Sequence, residues 1–298
     1  MADILILQYR DRIINGVLLI PTIFSVILLI VMICVLFSKS EQILSTTPLI
    51  NLLFSSSWKP IAGDFGFFPF IMGTIWVTGI AMLISIPISL LTAIYLSEYA
   101  HMRVREIIQP VIDLLAGVPS VIYGLFGILL IVPLIKNYIA PFFGVTNSGY
   151  CVLAGGLVLA IMVFPILISL SYEVLRTVPL EMREASLGLG ANRWETIKYV
   201  VMKKAFPGVI ATIILGFSRA FGETMAVLMV VGNVARVPTS VFDPGYPIPA
   251  LIANNYGEMM SIPVYDSAIM FAALLLLVII VIFNILAKYA LHKLRVVT

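Results

Sequence analysis

Residues 267–289 read SAIMFAALLLLVIIVIFNILAKY, an apolar run with no charge before Lys288. At about 1.5 Å per residue, a helix of some 20 such residues crosses the roughly 30 Å hydrocarbon core of a bilayer and satisfies its own backbone polar groups. Five further stretches share this character, at 13–37, 69–97, 107–135, 151–175 and 206–232. None alternates as a membrane β-strand does. The 298-residue chain is 61% hydrophobic and 11% charged, with a mean hydropathy of +1.11, whereas soluble domains carry about a quarter of their residues as charges. The expectation is an all-α polytopic membrane protein with about six transmembrane helices. The first run is longer than a signal-peptide core and no small-residue cleavage site follows it, so it is read as a retained anchor.

Basic residues orient such a bundle, because short cytoplasmic segments are enriched in them. Arg10, Arg12, Arg103, Arg105, Arg176, Arg183, Arg193, Lys198, Lys203, Lys204, Lys288, Lys293 and Arg295 fall on one side. Lys39, Lys59, Lys136 and Arg236 fall on the other, and Arg219 lies within a span. This predicts cytoplasmic N- and C-termini, and it assigns the net charge of +3 to topology rather than to nucleic-acid binding. Cys34 and Cys151 lie in or beside spans and read as small core residues. His101 and His292 have no second ligand near them in sequence, so no metal site is expected.

With no internal repeat and no long linker, residues 1–68 are read as an N-terminal transmembrane helix with an external segment. Residues 69–298 form the main transmembrane domain, with a cytoplasmic loop at 177–208. In the external segment, Trp58, Phe65, Phe67 and Phe68 are either an aromatic belt at headgroup level or a docking surface. In the third span, Gly117-Val118-Pro119-Ser120 followed by Gly124 and Gly127 admits close packing of a neighbour, or a gating hinge. Asp113 sits near the cytoplasmic end of that span and is not assigned to a substrate path.

The loop carries its own punctuation. Thr177 is a candidate cap, Pro179 suits a first helical turn, and Gly188 or Gly190 can end the helix in a left-handed conformation. Asn192 and Glu195 have capping-box spacing for a second helix running toward Pro207. On spacing alone this is an amphipathic connector at the membrane surface.

The fifth span contains the charged pair Arg219 and Glu223, four residues apart and therefore on one face of a continuous helix. Counted from Pro207, Arg219 lies roughly 18 Å along the axis, near the bilayer centre, where an arginine costs about 2.5 kcal/mol or more unless paired or wetted. Two readings stand. The pair neutralises itself and fixes packing, or Arg219 faces a wet path and offers a planar donor fork to an oxyanion. In the second reading Glu223 either holds the guanidinium or accepts a proton-bearing oxygen of hydrogen phosphate, which sulfate lacks. Ser218 and Thr224 are weaker candidate donors.

Glu184-Ala185-Ser186, three residues, then Gly190 resembles the EAA motif of ATP-binding-cassette importer permeases. Ser186 stands where that motif has its second alanine, and Met202-Lys203 where it usually closes with Leu-Pro, while Pro207-Gly208 conforms. Residues 66–74 (GFFPFIMGT), 114–125 (LLAGVPSVIYGL) and 219–227 (RAFGETMAV) resemble PstC-type permeases of phosphate importers, a similarity that runs over about 55–290.

The resemblance implies a type I importer permease fold in a prokaryotic inner membrane, with Glu184, Ala185, Ser186 and Gly190 in a coupling helix that docks on an ATPase. It implies heterodimerisation with a PstA-type permease, two PstB-type ATPase subunits and an extracytoplasmic PstS-type phosphate-binding protein. It carries transport-essential roles onto Arg219 and Glu223. No Gly-x-x-x-x-Gly-Lys-Ser/Thr sequence occurs in the chain, so ATP and Mg²⁺ are expected on the partner ATPase, with no cofactor and no catalytic residue here. The alternatives are a permease for molybdate, sulfate or phosphonate, and a self-sufficient secondary transporter, against which the coupling loop and short length argue.

Overall fold

The computed structural model describes residues 2–257 and 262–297, and the side chains within them except 2–13, 290 and 292–297. The side chains of Arg10, Arg12, His292, Lys293 and Arg295 lie outside that set. Six helices are long and apolar enough to cross a membrane. In chain order the helices are α1 (Ala2–Thr46), α2 (Leu49–Phe54), α3 (Phe68–Tyr99), α4 (Met102–Ala116), α5 (Ser120–Phe142), α6 (Val152–Arg176), α7 (Leu180–Gly188), α8 (Arg193–Phe221), α9 (Met225–Leu228), α10 (Ile248–Asn255) and α11 (Pro263–Val297). Two residue pairs, Trp58–Lys59 and Asp64–Phe65, form a small antiparallel hairpin before α3.

Two of the expected spans are corrected. The third does not start at 107. Gly117-Val118-Pro119 ends α4 at Ala116, and the spanning helix begins at Ser120, because the residue before a proline is driven out of helical geometry. Met102–Ala116 is a separate amphipathic helix whose inward face buries Ile112, and Asp113 is exposed on it. The fifth does not run through 232. It starts at Arg193, stops at Phe221, and is followed by a short helix at Met225–Leu228.

The core divides by height. In the middle, α3 packs on α6 through Val77, Ala81, Val158, Leu159 and Val163. Gly155 and Gly156 of α6, against Val77 and Ile80 of α3, allow the close van der Waals packing that holds helices together in lipid. At the end that carries the hairpin, Trp58 stacks edge-on against Phe65, Phe67 and Phe70 at centroid separations of 5.5, 5.4 and 4.8 Å. Phe67 also meets Phe271 of α11. Phe65 and Phe67 are buried and serve the core, Trp58 and Phe68 stay partly exposed, and the cluster closes this end of the bundle with Ile43, Leu52, Tyr246 and Leu251. At the other end, Leu96, Tyr172, Leu175, Val178, Ile197 and Val201 gather α3, α6 and α8 beneath α7.

α1 stands apart from this bundle. The most apolar window of Ile14–Thr46 buries none of its residues, and the helix meets α11 farther along, where Ser40 and Ile43 are buried. It is held near its C-terminal end, where the Ile43 amide donates to Ser267 Oγ at 3.0 Å.

Candidate functional site

Gly216 sets the height of the charged region. A Cβ there would lie 2.6 Å from Leu167 Cδ2 and 3.2 Å from Met82 Cε, both near the middle of their helices. Arg219 is one turn farther on, at mid-height of the bundle and in the last turn of α8. The helix ends there because Gly222 has low helix propensity and the segment after it folds back onto α5. α5 admits that segment at Gly124, where a Cβ would come within 2.5 Å of Met229 Sδ and 3.3 Å of Ala226 Cα. Gly127 is packed in the same way, with a Cβ there 2.6 Å from Val158 Cγ2 and 2.8 Å from Val230 Cγ1, whereas Gly117 lies before the span and meets only its own turn.

Because α8 stops at Phe221, Arg219 and Glu223 do not share a helix face, and the self-neutralising pair is not formed. Among the described residues the ion pair within 4 Å is Arg183–Glu98. The Arg219 side chain is exposed and makes no hydrogen bond within the described residues. Glu223 is half-buried. Its Oε1 accepts from the Ala226 amide at 3.3 Å, satisfying an orphan donor at the start of α9, and it packs into a tight niche with Thr74, Thr78, Phe221 and Pro249. It holds the break rather than the guanidinium. Ser218 turns the other way, donating to the Ile214 carbonyl and lying 3.0 Å from Asn284 Oδ1 on α11. Thr224 Oγ1 donates to the Gly222 carbonyl at 3.3 Å. Asn284 was not singled out above, although a lone amide inside the apolar run 267–289 is a visible signal.

The loop at 177–208 forms a second site. Thr177 does not cap α7. Its Oγ1 donates back to the Val174 carbonyl and closes α6, and Pro179 takes the N-cap position of α7. α7 has no buried residue, and Leu180, Leu187 and Leu189 are exposed. Gly190, at φ +88°, makes the left-handed turn after it. The capping box is formed: Asn192 Oδ1 accepts from the Glu195 amide at 2.9 Å, and Glu195 Oε2 from the Asn192 amide at 2.8 Å. Glu184 and Ala185 lie exposed on α7. Ser186, the departure from the motif, has a structural use, since its Oγ lies 3.0 Å from Thr196 Oγ1 and joins α7 to the helix after the turn.

What fastens this unit to the bundle is Glu98, at the end of α3, which sequence reasoning did not single out. Arg183 donates through Nη2 to Glu98 Oε1 at 2.9 Å, through Nε to Oε2 at 3.3 Å, and to the carbonyls of Leu175 and Val178. Arg193 donates to the Glu98 carbonyl and lies over the Tyr99 ring at 4.8 Å. In the segment between α9 and α10, Asp243 accepts from the Thr239 hydroxyl and from the amides of Thr239 and Ser240. These hydrogen bonds, led by the Thr239 hydroxyl, hold its carboxyl below the usual range.

A bundle of this connectivity, with an exposed loop helix at one end and a broken helix at mid-height, is the fold of importer permeases. A chain of a bacterial alginate ABC transporter superposes with a TM-score of 0.65 at 15% identity, over 95% of this chain and 96% of that one. An inward-facing MetNI methionine transporter gives 0.57 at 14% identity, over 74% and 93%. The chain belongs to the family of binding-protein-dependent transport system inner membrane components, whose model matches residues 85–296. It is 37% identical over 259 residues to the phosphate transport system permease protein PstC of Xylella fastidiosa strain Temecula1, covering 82% of this chain and 79% of that one. It is 34% identical over 294 residues to the probable PstC of Methanocaldococcus jannaschii, covering 94% and 93%. It is also 37% identical to the probable ABC transporter permease YqgH of Bacillus subtilis, over 80% and 77%. The chain is therefore a multi-pass membrane subunit of a transport system.

Proposed function

We propose that this subunit translocates inorganic phosphate into the cytoplasm by alternating access, with Arg219 as the cation the ion meets at mid-height. The observation that carries this reading is an arginine exposed at mid-bundle with no partner among the described residues, one turn from a helix break. Such a group is costly in lipid and offers an oxyanion a bidentate donor fork. Glu223 keeps the break in shape and presents an acceptor suited to a protonated phosphate oxygen, with Thr224 beside it. Ser218 is left to anchor α8 on α11.

The residues on α7, Glu184 and Ala185 with the flanking leucines, dock on a PstB-type ATPase that binds ATP and Mg²⁺ and hydrolyses the nucleotide. Ser186 and Gly190 hold the shape of the unit. A PstA-type permease completes the membrane pair, and a PstS-type protein delivers phosphate from outside. Residues 1–68 form an anchor segment, residues 69–298 the permease domain, and both termini are cytoplasmic.

The test is phosphate-stimulated ATPase activity and uptake by the assembled complex carrying wild-type or Arg219→Gln chain. Loss of both with assembly intact is expected. Unchanged uptake by the variant, or equal stimulation by sulfate or molybdate loaded on the same binding protein, would overturn the reading.

A further inference from the structure

We propose that the cavity between the coupling helix α7 and the cytoplasmic end of α3 is a binding site for a phosphate group, either free inorganic phosphate or the phosphate of an anionic lipid headgroup. The cavity measures about 740 Å³ and is lined by Arg105, Arg176, Arg183 and Arg193 together with Glu98 and Glu184. Its charges do not balance. Arg183 is matched by Glu98, which leaves three arginines against the carboxylate of Glu184.

Those three are also incompletely bonded. Arg105 donates through Nη2 to the Ser97 carbonyl at 2.6 Å, while its Nε is buried without a partner. Arg176 reaches the Tyr172 hydroxyl at 3.2 Å through one nitrogen, and Arg193 contacts the Glu98 carbonyl through one. Each guanidinium has five N–H donors, so most remain available on groups drawn from α4, α6 and α8 around one space. Planar forks converging from several elements are the arrangement that recognises a phosphate oxyanion. The site lies where the spans end, within reach of lipid headgroups and of cytoplasmic solutes. An occupant would tie α7 to three helices of the bundle and stiffen the unit that meets the ATPase. The inference does not depend on which ion is transported.

The experiment uses the assembled complex in nanodiscs, without binding protein, on an Arg219→Gln background so that the translocation path contributes nothing. Thermal unfolding is followed in phosphatidylcholine with chloride, in phosphatidylcholine with added inorganic phosphate, and with phosphatidylglycerol replacing part of the lipid. At least one addition should raise the unfolding temperature by about 2–4 °C, and Arg105→Gln/Arg176→Gln should abolish the rise. A rise with phosphate alone assigns the free ion, and a rise with phosphatidylglycerol alone assigns the headgroup. No rise, or a rise that survives the double substitution, overturns the proposal. If the double variant does not assemble, Arg176→Gln alone is read in the same way, since its guanidinium bonds only Tyr172.

Discussion

Arg183 and Arg219 use the same side chain in opposite ways. Arg183 is mostly buried, with every contact directed inward to Glu98 and to the carbonyls that end α6. Arg219 is exposed, and no acceptor among the described residues reaches it. A cation saturated by the fold organises the fold and has nothing left for a ligand. A cation left unsatisfied at mid-height is tolerated only if something outside the chain completes it.

The comparison breaks first at Arg219. Arg219→Gln removes about 2–3 kcal/mol of charge-assisted bonding to an oxyanion, and uptake by the complex should fall roughly 100-fold. The amount of assembled complex in the membrane should stay unchanged. If instead the complex fails to assemble, Arg219 is a structural cation like Arg183 and the contrast disappears.

Arg183→Ala should do the reverse. Glu98 would be left half-buried and unpaired at a cost of about 3 kcal/mol, loosening the loop. The measurement is protection of α7 against proteolysis, together with ATPase stimulation, and both should decline. Phosphate capture by the binding protein should not change.

Glu223→Gln sharpens the contrast at smaller scale. The amide oxygen still accepts from the Ala226 N–H, so the break is kept while the charge is lost, and uptake should drop about tenfold. Glu223→Ala loses both and should also reduce the amount of folded chain. The smallest effect is expected at Ser186→Ala, which removes one hydroxyl contact worth about 1 kcal/mol and restores the residue usual in the motif. Coupling should weaken slightly, visible as a lower ratio of transport to hydrolysis.

The six spans were legible because lipid imposes one requirement, a long apolar helix, that composition alone reveals. The capping box at Asn192 and Glu195 and the left-handed Gly190 were legible because caps and turns are local. The end of α8 was not. Gly222 weakens a helix there without forbidding one, and what decides its end is the docking of Ala226 and Met229 against Gly124, about a hundred residues earlier in the chain. The tie between Arg183 and Glu98 bridges a separation of 85 residues and was hidden for the same reason.

The sequence by itself therefore determined the environment of this protein, its number of spans, and the residue types available for an oxyanion and for a partner. Only the tertiary structure decided which arginine is free. Whether a buried cation is satisfied depends on acceptors brought from distant helices, and that packing is a property of the assembled bundle.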